Sequence, residues 1–285
     1  MIDSNKKKIL IIGITGFLGR NLIKILTKNH NNKYNIIGTG NTKDKINKLI
    51  NMYNIPIIQI NVLDNFCNLE NMFKIHKFDY IINTVALKHV NIAEDYPSKA
   101  IELNLVYTLN LLKLAKKYNV INLINISSTQ ANNPINIYGM TKYLMEKITL
   151  EYNYSIYQGV NFFWSDNSVL DIWYNRIKEN KNIYVNDNNQ ERYFIDVENV
   201  CNDIVDNLNN TGIKITSNKL FKVKIVDLFN AMILYFNYDI KKCDYIKTGI
   251  NEKIKDDLTS DIDIKYLTIE KISEKISEKI SEKKQ

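Results

Sequence analysis

Residues 127–142 read "SSTQANNPINIYGMTK", and Tyr138 and Lys142 lie four apart within them. That spacing is about one helical turn and puts both side chains on one face. A phenol titrates at about 10 in water, so it acts as a base near neutrality only beside a cation, which Lys142 would supply. The pair fits proton transfer to and from an alcohol. Between Ser128 and Tyr138, however, stand Thr129, Gln130, Asn132, Asn133 and Asn136, with no acid or base among them. The stretch offers one good proton handler without an obvious second. Alone, Tyr138 and Lys142 could equally be surface residues of an amphipathic helix.

A second stretch favours chemistry. "ILIIGITGFLGRNLIKIL" sets Gly13, Gly16 and Gly19 between a strand-like run and an amphipathic helical run. In such a turn the first glycine permits the tight bend, the second lets a pyrophosphate approach the backbone, and the third lets the helix pack closely. The free N–H groups at the helix start then meet the anion. Gly13, Thr15, Gly16, Phe17, Leu18 and Gly19 are therefore candidate cofactor-binding residues. An acid ending the second strand usually holds the ribose 2′-hydroxyl of NAD. Here that strand runs into "GTGNTKDK", where Asn41, Thr42 and Lys43 come before the first carboxylate, Asp44. A lysine and small polar groups suit a 2′-phosphate, so the expected cofactor is NADP.

These residues need a scaffold. Short apolar runs at 7–13, 34–40, 55–61, 78–86 and 121–127 alternate with helical patterns such as "SKAIELNLVYTLNLLKLAKKYN". That alternation predicts an α/β fold, a Rossmann-type doubly wound parallel sheet, over residues 1–155. Beyond it the pattern loosens into "NSVLDIWYNRIKENKN", "DVENVCNDIVDNL" and "KIVDLFNAMILYF", read as a smaller C-terminal substrate-binding lobe over 156–265. With no Pro- or Gly-rich linker between them, the two lobes are expected to enclose one cleft. The last stretch, 266–285, carries "IEKISEKISEKISEKK". Its period of four stacks Glu over Glu and Lys over Lys, which mildly opposes helix formation, so a frayed helix or disordered low-complexity tail is expected.

Composition excludes several classes. A hydrophobic fraction of 45% with 24% charged residues is that of a soluble globular enzyme. No apolar run is long enough to cross a bilayer, and the start lacks a signal-peptide pattern, so a cytoplasmic protein without membrane contact is expected. The net charge of +7 is almost all lysine, since Arg20, Arg176 and Arg192 are the only arginines. Base readout favours arginine forks, so no nucleic-acid partner is expected. Cys67, Cys201 and Cys243 are scattered, as are His30, His76 and His89, so no metal site is expected.

With the glycine turn, Asn104 and the Tyr138/Lys142 pair in view, the chain resembles the extended short-chain dehydrogenases/reductases that modify nucleotide sugars. It is most similar to the inverting UDP-N-acetylglucosamine 4,6-dehydratases. "NTVALKHVNIAEDYPSKAIELNLVYTLNLL" is similar to that family's A-L-K-H-V segment, and "NNPINIYGMTK" to its N-P-x-N-x-Y-G-x-T-K. "NSVLDIW", "ERYFIDVENV", "KLFKVKIVDLFNAM" and "YIKTGINEKIKDDL" resemble the segments that follow, to about residue 261. The resemblance implies that Tyr138 takes the proton of the sugar 4-hydroxyl, that Ser128 hydrogen-bonds the same oxygen, and that Lys142 holds the nicotinamide ribose and lowers the tyrosine pKa. It implies that Asn104 supports Lys142 and that Asp64 meets the adenine. Val62, Val85, Ala86 and Lys88 complete the implied cofactor set, and Lys88, His89, Asn161, Arg192 and Glu252 the substrate set. Helices 98–118 and 138–152 would form a four-helix contact, which makes a homo-oligomer the expected assembly.

The chain also departs from the family. Where the dehydratases carry an Asp–Lys pair, thought to protonate the departing 6-hydroxyl and remove the C5 proton, Thr129 and Gln130 stand, and neither is a strong acid or base. Asp166 replaces an expected arginine, and "GIN" at 249–251 replaces R-P-G. Lys88 and His89 are candidate substitutes, or structural residues at a strand end. The resemblance thus implies a 4,6-dehydratase acting on UDP-N-acetylglucosamine with inversion at C5: oxidation of the 4-hydroxyl, elimination of the 6-hydroxyl, and hydride return to C6. A 4-epimerase or 4-ketoreductase, which needs no C5 base, and a catalytically silent NADP- or nucleotide-sugar-binding protein remain alternatives.

Overall fold

The computed structural model describes residues 6–30, 33–61, 66–186, 190–246, 253, 255–258 and 264–284. The chain forms two compact units: Met1–Gly159 with Val197–Ser217, and Val160–Asp196 with Asn218–Gln285.

The first unit is built on a parallel sheet. Its strands β1 (Lys7–Ile12), β2 (Tyr34–Gly40), β3 (Ile57–Gln59), β4 (Tyr80–Asn83), β5 (Asn122–Ser128) and β6 (Ser155–Gly159) are joined by a seventh, Lys214–Ile215. From edge to edge the order is Lys214–Ile215, β6, β5, β4, β1, β2, β3. Each pairing is parallel, with β1 between β2 and β4 (Leu10 opposite Ile37 and Ile81). Ile9, Leu10, Ile11 and Ile12 are all fully buried, as a strand covered on both faces requires. The order reverses direction between β1 and β4, which is the switch point where ligands bind in such sheets. The expected α/β, doubly wound, Rossmann-type fold is the observed one.

Helices α1 (Phe17–Asn29), α2 (Lys43–Tyr53), α3 (Phe66–His76), α4 (Val90–Asp95), α5 (Pro97–Ile101), α6 (Tyr107–Lys117) and α7 (Ile137–Glu151) supply the connections in this part of the chain. Helices α5 and α6, expected as one helix, are joined by a π-helical turn, Glu102–Val106. Leu111, Leu112 and Ala115 of α6 pack with Leu10, Ile12 and Ile81 of the sheet and with Phe73 and Phe78 in one core.

The second unit has a three-stranded sheet in which Glu191–Ile195 lies between Phe221–Lys224 and Asn161–Phe162. A two-stranded parallel pair joins Cys243–Ile246 to Ile183–Asn186. Its core gathers Trp173, Phe163, Phe229, Leu228 and Met232. Two expectations are corrected here. The lobe expected over 156–265 is interrupted, because 197–217 return to the first unit, where Lys214 pairs with Ile156. The expected frayed helix or disordered tail is instead a packed helix, Ile269–Lys284. Ile272, Ile276 and Ile280 fall on one face and are buried in the core, and burial of three isoleucines outweighs the mild like-charge stacking. Its lysines find partners too: Lys275 bonds Asp196 at 2.6 Å and Lys283 bonds Asp171 at 2.7 Å.

Among the described residues no helix is long and apolar enough to cross a membrane. Cys201 is buried and Cys243 half-buried, both as free thiols, while the side chain of Cys67 lies outside the described residues.

Candidate active site

The glycine turn joins β1 to α1 in the first unit. Gly13 has φ +82, and a Cβ there would stand 2.7 Å from Thr84 Oγ1 and 2.8 Å from Val85 Cγ2. A Cβ at Gly19 would meet the Gly13 carbonyl and Ile14 Cα, each at 2.6 Å. The turn is thus pressed on one side against the exit of β4 and closed on the other by its own helix. Gly16 caps α1 without a side-chain hydrogen bond, and Phe17, Leu18 and Gly19 form the first helical turn. Thr15 is buried, and its carbonyl accepts from Arg20 Nη1 at 2.9 Å. Bare backbone, a helix start and no room for side chains fit a dinucleotide pyrophosphate.

At the end of β2, Asn41, Thr42 and Lys43 are exposed. Thr42 Oγ1 bonds Asn41 Oδ1 at 3.1 Å, and Gln59 Nε2 bonds the Asn41 carbonyl at 3.3 Å. The next residue, Asp44, sits in the first turn of α2. Val85 and Ala86 are half-buried just past β4, whereas Lys88 and His89 are exposed at the start of α4. The His89 imidazole is held below its ordinary pKa, chiefly by partial loss of water around the ring and then by the Lys88 charge. Val62 and Asp64 lie outside the described residues.

Ser128 ends β5 and Tyr138 opens α7. Glu94 Oε1 accepts from the Ile137 N–H at 2.7 Å and Asn136 Oδ1 from the Gly139 N–H at 2.8 Å, so a carboxylate and an amide fix where α7 begins. Tyr138 and Lys142 are both buried. Burial raises the Tyr138 phenol above its ordinary pKa, and the Ser128 side chain works against that rise. Lys142 Nζ bonds the Ile126 carbonyl at 2.7 Å. Burial lowers its ammonium to about 8, partly opposed by the Glu146 charge. Thr129, Gln130 and Ala131 make one 3-10 turn, with the Gln130 N–H on Ser128 Oγ at 3.2 Å; Thr129 is buried and Gln130 half-buried.

Asn104 does not bond Lys142. From the π-turn its Oδ1 accepts the Leu87 N–H at 2.9 Å, while its Nδ2 donates to the Leu87 carbonyl at 3.2 Å and to Thr141 Oγ1 at 3.0 Å. Its bonds tie Thr141, the neighbour of Lys142, to the chain leaving β4. Gly139, not singled out from the sequence, is the residue that lets α7 lie on the 129–131 turn. The Y-G-x-T-K spelling was its signal.

In the second unit, Asn161 and Arg192 converge on a residue the sequence reading missed. Asn161 Nδ2 bonds Asp256 Oδ2 at 3.2 Å and the Tyr193 carbonyl at 3.0 Å. Arg192 Nη2 bonds the Lys253 carbonyl at 2.6 Å, and its Nε lies 4.0 Å from Asp256 Oδ1. Burial raises the Asp256 carboxyl, with Arg192 the main opposing influence. Glu252 lies outside the described residues. Among the described residues no group of His, Cys, Asp and Glu could hold a metal ion.

A parallel sheet with this glycine turn, followed by a Tyr/Lys helix after its fifth strand, defines the short-chain dehydrogenase/reductase class. The family described as "Polysaccharide biosynthesis protein" matches residues 9–278, and the chain belongs to it, as an extended member of that class. It is similar to a UDP-N-acetylglucosamine 4,6-dehydratase (inverting) of Campylobacter jejuni, 28% identical over 240 residues, 80% of this chain and 71% of that one. It is also similar to a UDP-glucose 4-epimerase of Rickettsia bellii, 28% identical over 66% of this chain and 59% of that one. A crystal structure of dTDP-glucose 4,6-dehydratase from Bacillus anthracis, in complex with NAD, shares the fold with a TM-score of 0.74 and 18% identity, covering 95% of this chain and 90% of that one.

Proposed function

We propose that the protein is an NADP-dependent nucleotide-sugar 4,6-dehydratase, a lyase acting on UDP-N-acetylglucosamine with inversion at C5. The observation that carries the reading is Tyr138, buried where the Ser128 side chain acts on its phenol, with Lys142 buried one turn further along α7. Similarity to the Campylobacter dehydratase across most of the chain supports this chemistry. Tyr138 takes the proton of the sugar 4-hydroxyl, Ser128 holds the same oxygen, and the Lys142 ammonium favours the phenolate. NADP, when bound, supplies the hydride acceptor and donor and is recycled within the turnover. The glycine turn holds its pyrophosphate, and Asn41, Thr42 and Lys43 take the 2′-phosphate.

Oxidation at C4 acidifies the C5 proton, so a modest base suffices to remove it. Gln130 and Thr129 hold the water that does so, or Lys88 and His89 serve in its place. Asn161, Arg192 and Glu252 are the residues for the UDP-sugar. The protein works in the cytoplasm as a homo-oligomer; exposed Ile101, Val106, Met140, Tyr143 and Leu144 on the α5–α6 and α7 helices support that assembly.

One observation favours a second reading. The turn after Ser128 carries no carboxylate and no ammonium, which a 4-epimerase or 4-ketoreductase does not need. Incubation with UDP-N-acetylglucosamine and trace NADP in deuterated water, followed by proton NMR, decides. A 6-methyl signal with deuterium at C5 is expected. A galacto-configured product with its 6-CH₂OH intact would replace the dehydratase by an epimerase, a 4-keto product that keeps its 6-CH₂OH, with NADP left as NADPH, would indicate a 4-ketoreductase running in reverse, and no turnover a silent binding protein. Calorimetric titration with both dinucleotides checks the cofactor, and a clear preference for NAD would overturn that part.

A further inference from the structure

Glu146 lies one helical turn beyond Lys142 on α7, is buried, and has no part in the proton transfers described above. A carboxylate taken out of water is costly unless it is paired and hydrogen-bonded, and this one is both. Its Oε2 is 3.2 Å from Lys214 Nζ, and its Oε1 accepts from Gln158 Nε2 at 2.9 Å. Gln158 in turn exchanges two bonds with Asn132: Gln158 Nε2 to Asn132 Oδ1 at 3.0 Å, and Asn132 Nδ2 to Gln158 Oε1 at 3.3 Å. Lys214 Nζ also approaches Asn132 Oδ1, at 3.4 Å. Asn132 directly follows the turn formed by Thr129, Gln130 and Ala131.

We propose that Glu146 is a positioning residue that ties the segment carrying Thr129 and Gln130 to the Tyr138/Lys142 helix, through Gln158, Asn132 and Lys214. The proposal rests on the reading of Tyr138 and Lys142 as the proton-handling pair. Three elements meet at the carboxylate. Helix α7 brings Glu146, the end of β6 brings Gln158, and the returning strand Lys214–Ile215 brings Lys214. This gives the return of 197–217 to the first unit a role in the site. The charged groups tied to Glu146 are Lys142, one turn before it on α7, and Lys214.

The same carboxylate acts on Lys142. Burial brings that ammonium down to about 8, and Glu146 is the charge that opposes the fall. Without it, Lys142 would lose its proton at a lower pH, and the alkaline limb of activity would move down with it.

The test compares the wild-type chain with Glu146→Gln, which keeps the shape and removes the charge, and with Asn132→Ala, which cuts the tie and leaves the charge. Two readouts need no turnover: the Lys142 side-chain titration by NMR, and amide hydrogen exchange over 129–133. For Glu146→Gln the lysine midpoint should fall by about one unit, a tenfold change in the proton-binding constant. In Asn132→Ala, exchange over 129–133 should quicken at least tenfold while the Lys142 midpoint stays put. Where turnover is measurable, the alkaline limb of the Glu146→Gln pH profile should move to lower pH. A folded Glu146→Gln protein with an unmoved Lys142 midpoint, or a folded Asn132→Ala protein with unchanged exchange, overturns the proposal. If the wild-type chain oxidises no nucleotide sugar, the functional reading fails, while the titration and exchange still decide the role of Glu146.

Discussion

Gly139 of α7 lies against the backbone of Gln130: a Cβ on the glycine would stand 2.5 Å from the Gln130 carbonyl oxygen. A second neighbour, Pro134 Cβ, would stand 3.1 Å away. The helix that carries Tyr138 and Lys142 and the turn that carries Thr129 and Gln130 are therefore held at a distance only glycine permits.

That contact sets the first prediction. Gly139→Ala forces α7 away from the turn, and overpacking of this kind costs about 1–3 kcal/mol. Because Tyr138 is the adjacent residue, the loss of turnover should exceed the loss of stability. Thermal unfolding and turnover of the same preparation check this. A variant of wild-type activity would show that the 129–131 turn can move freely.

Lys142 makes the second. Its ammonium titrates at about 8 in the folded chain against 10.5 unexposed to the fold, so between those values the unfolded chain binds the proton that the folded chain has shed. The buried cation opposes folding below pH 8, and that opposition is relieved as pH rises from 8 towards 10.5; the span is on the order of 3 kcal/mol. Lys142→Met removes the opposition but also strips the Ile126 carbonyl of its donor, which costs about 1–3 kcal/mol. The variant should match or exceed wild-type stability at pH 7, lose that advantage by pH 10, and oxidise no alcohol. Urea unfolding at the two pH values measures it, and a deficit independent of pH would contradict the depressed lysine.

Much of this was legible beforehand, for physical reasons that differ from place to place. The glycine turn could be read because strand, turn and helix each leave a local signature. Tyr138 and Lys142 could be read because a helix converts sequence spacing into a shared face. Asn104 could be noticed, but its partner could not be derived: its bonds go to Leu87 and Thr141, and a π-turn that aims it there leaves no periodic trace. Asp256 stayed hidden because its significance lies in Asn161, Tyr193 and Arg192, all more than sixty residues away. The terminal helix was misjudged because i,i+4 charge stacking is visible in sequence, whereas the surface that receives Ile272, Ile276 and Ile280 is not.

The third prediction concerns that helix. Ile276 is fully buried in the core of the second unit. Ile276→Ala should destabilise the chain by about 2–5 kcal/mol, as expected for a truncated core isoleucine. Ser277→Ala, one position along and half-buried, should leave stability nearly unchanged. Denaturation of the two variants side by side separates a packed helix from a dispensable tail, since a tail would give two values near zero.

The last prediction returns to the turn after Ser128. In the proposed dehydratase, Thr129 and Gln130 occupy the positions of an Asp–Lys pair and hold a water instead of transferring protons themselves. A positioned general acid or base contributes about 10²–10⁴-fold, so an enzyme without the pair is slow at elimination and unimpaired at 4-hydroxyl oxidation. Thr129→Asp with Gln130→Lys should therefore raise the rate of 6-methyl product formation from UDP-N-acetylglucosamine while leaving single-turnover reduction of NADP unchanged. Thr129 is buried, so the new carboxylate also has a desolvation cost unless the new lysine pairs with it; Thr129→Asp alone should lose stability, and the double variant should recover part of it. Following both steps separates the outcomes. Faster elimination places the missing acid and base at 129 and 130. An unchanged elimination rate in a stable double variant would move the chemistry to the start of α4, where Lys88→Met should then abolish it. Loss of NADP reduction itself would mean that the turn supports Tyr138, and that its uncharged side chains serve the oxidation step.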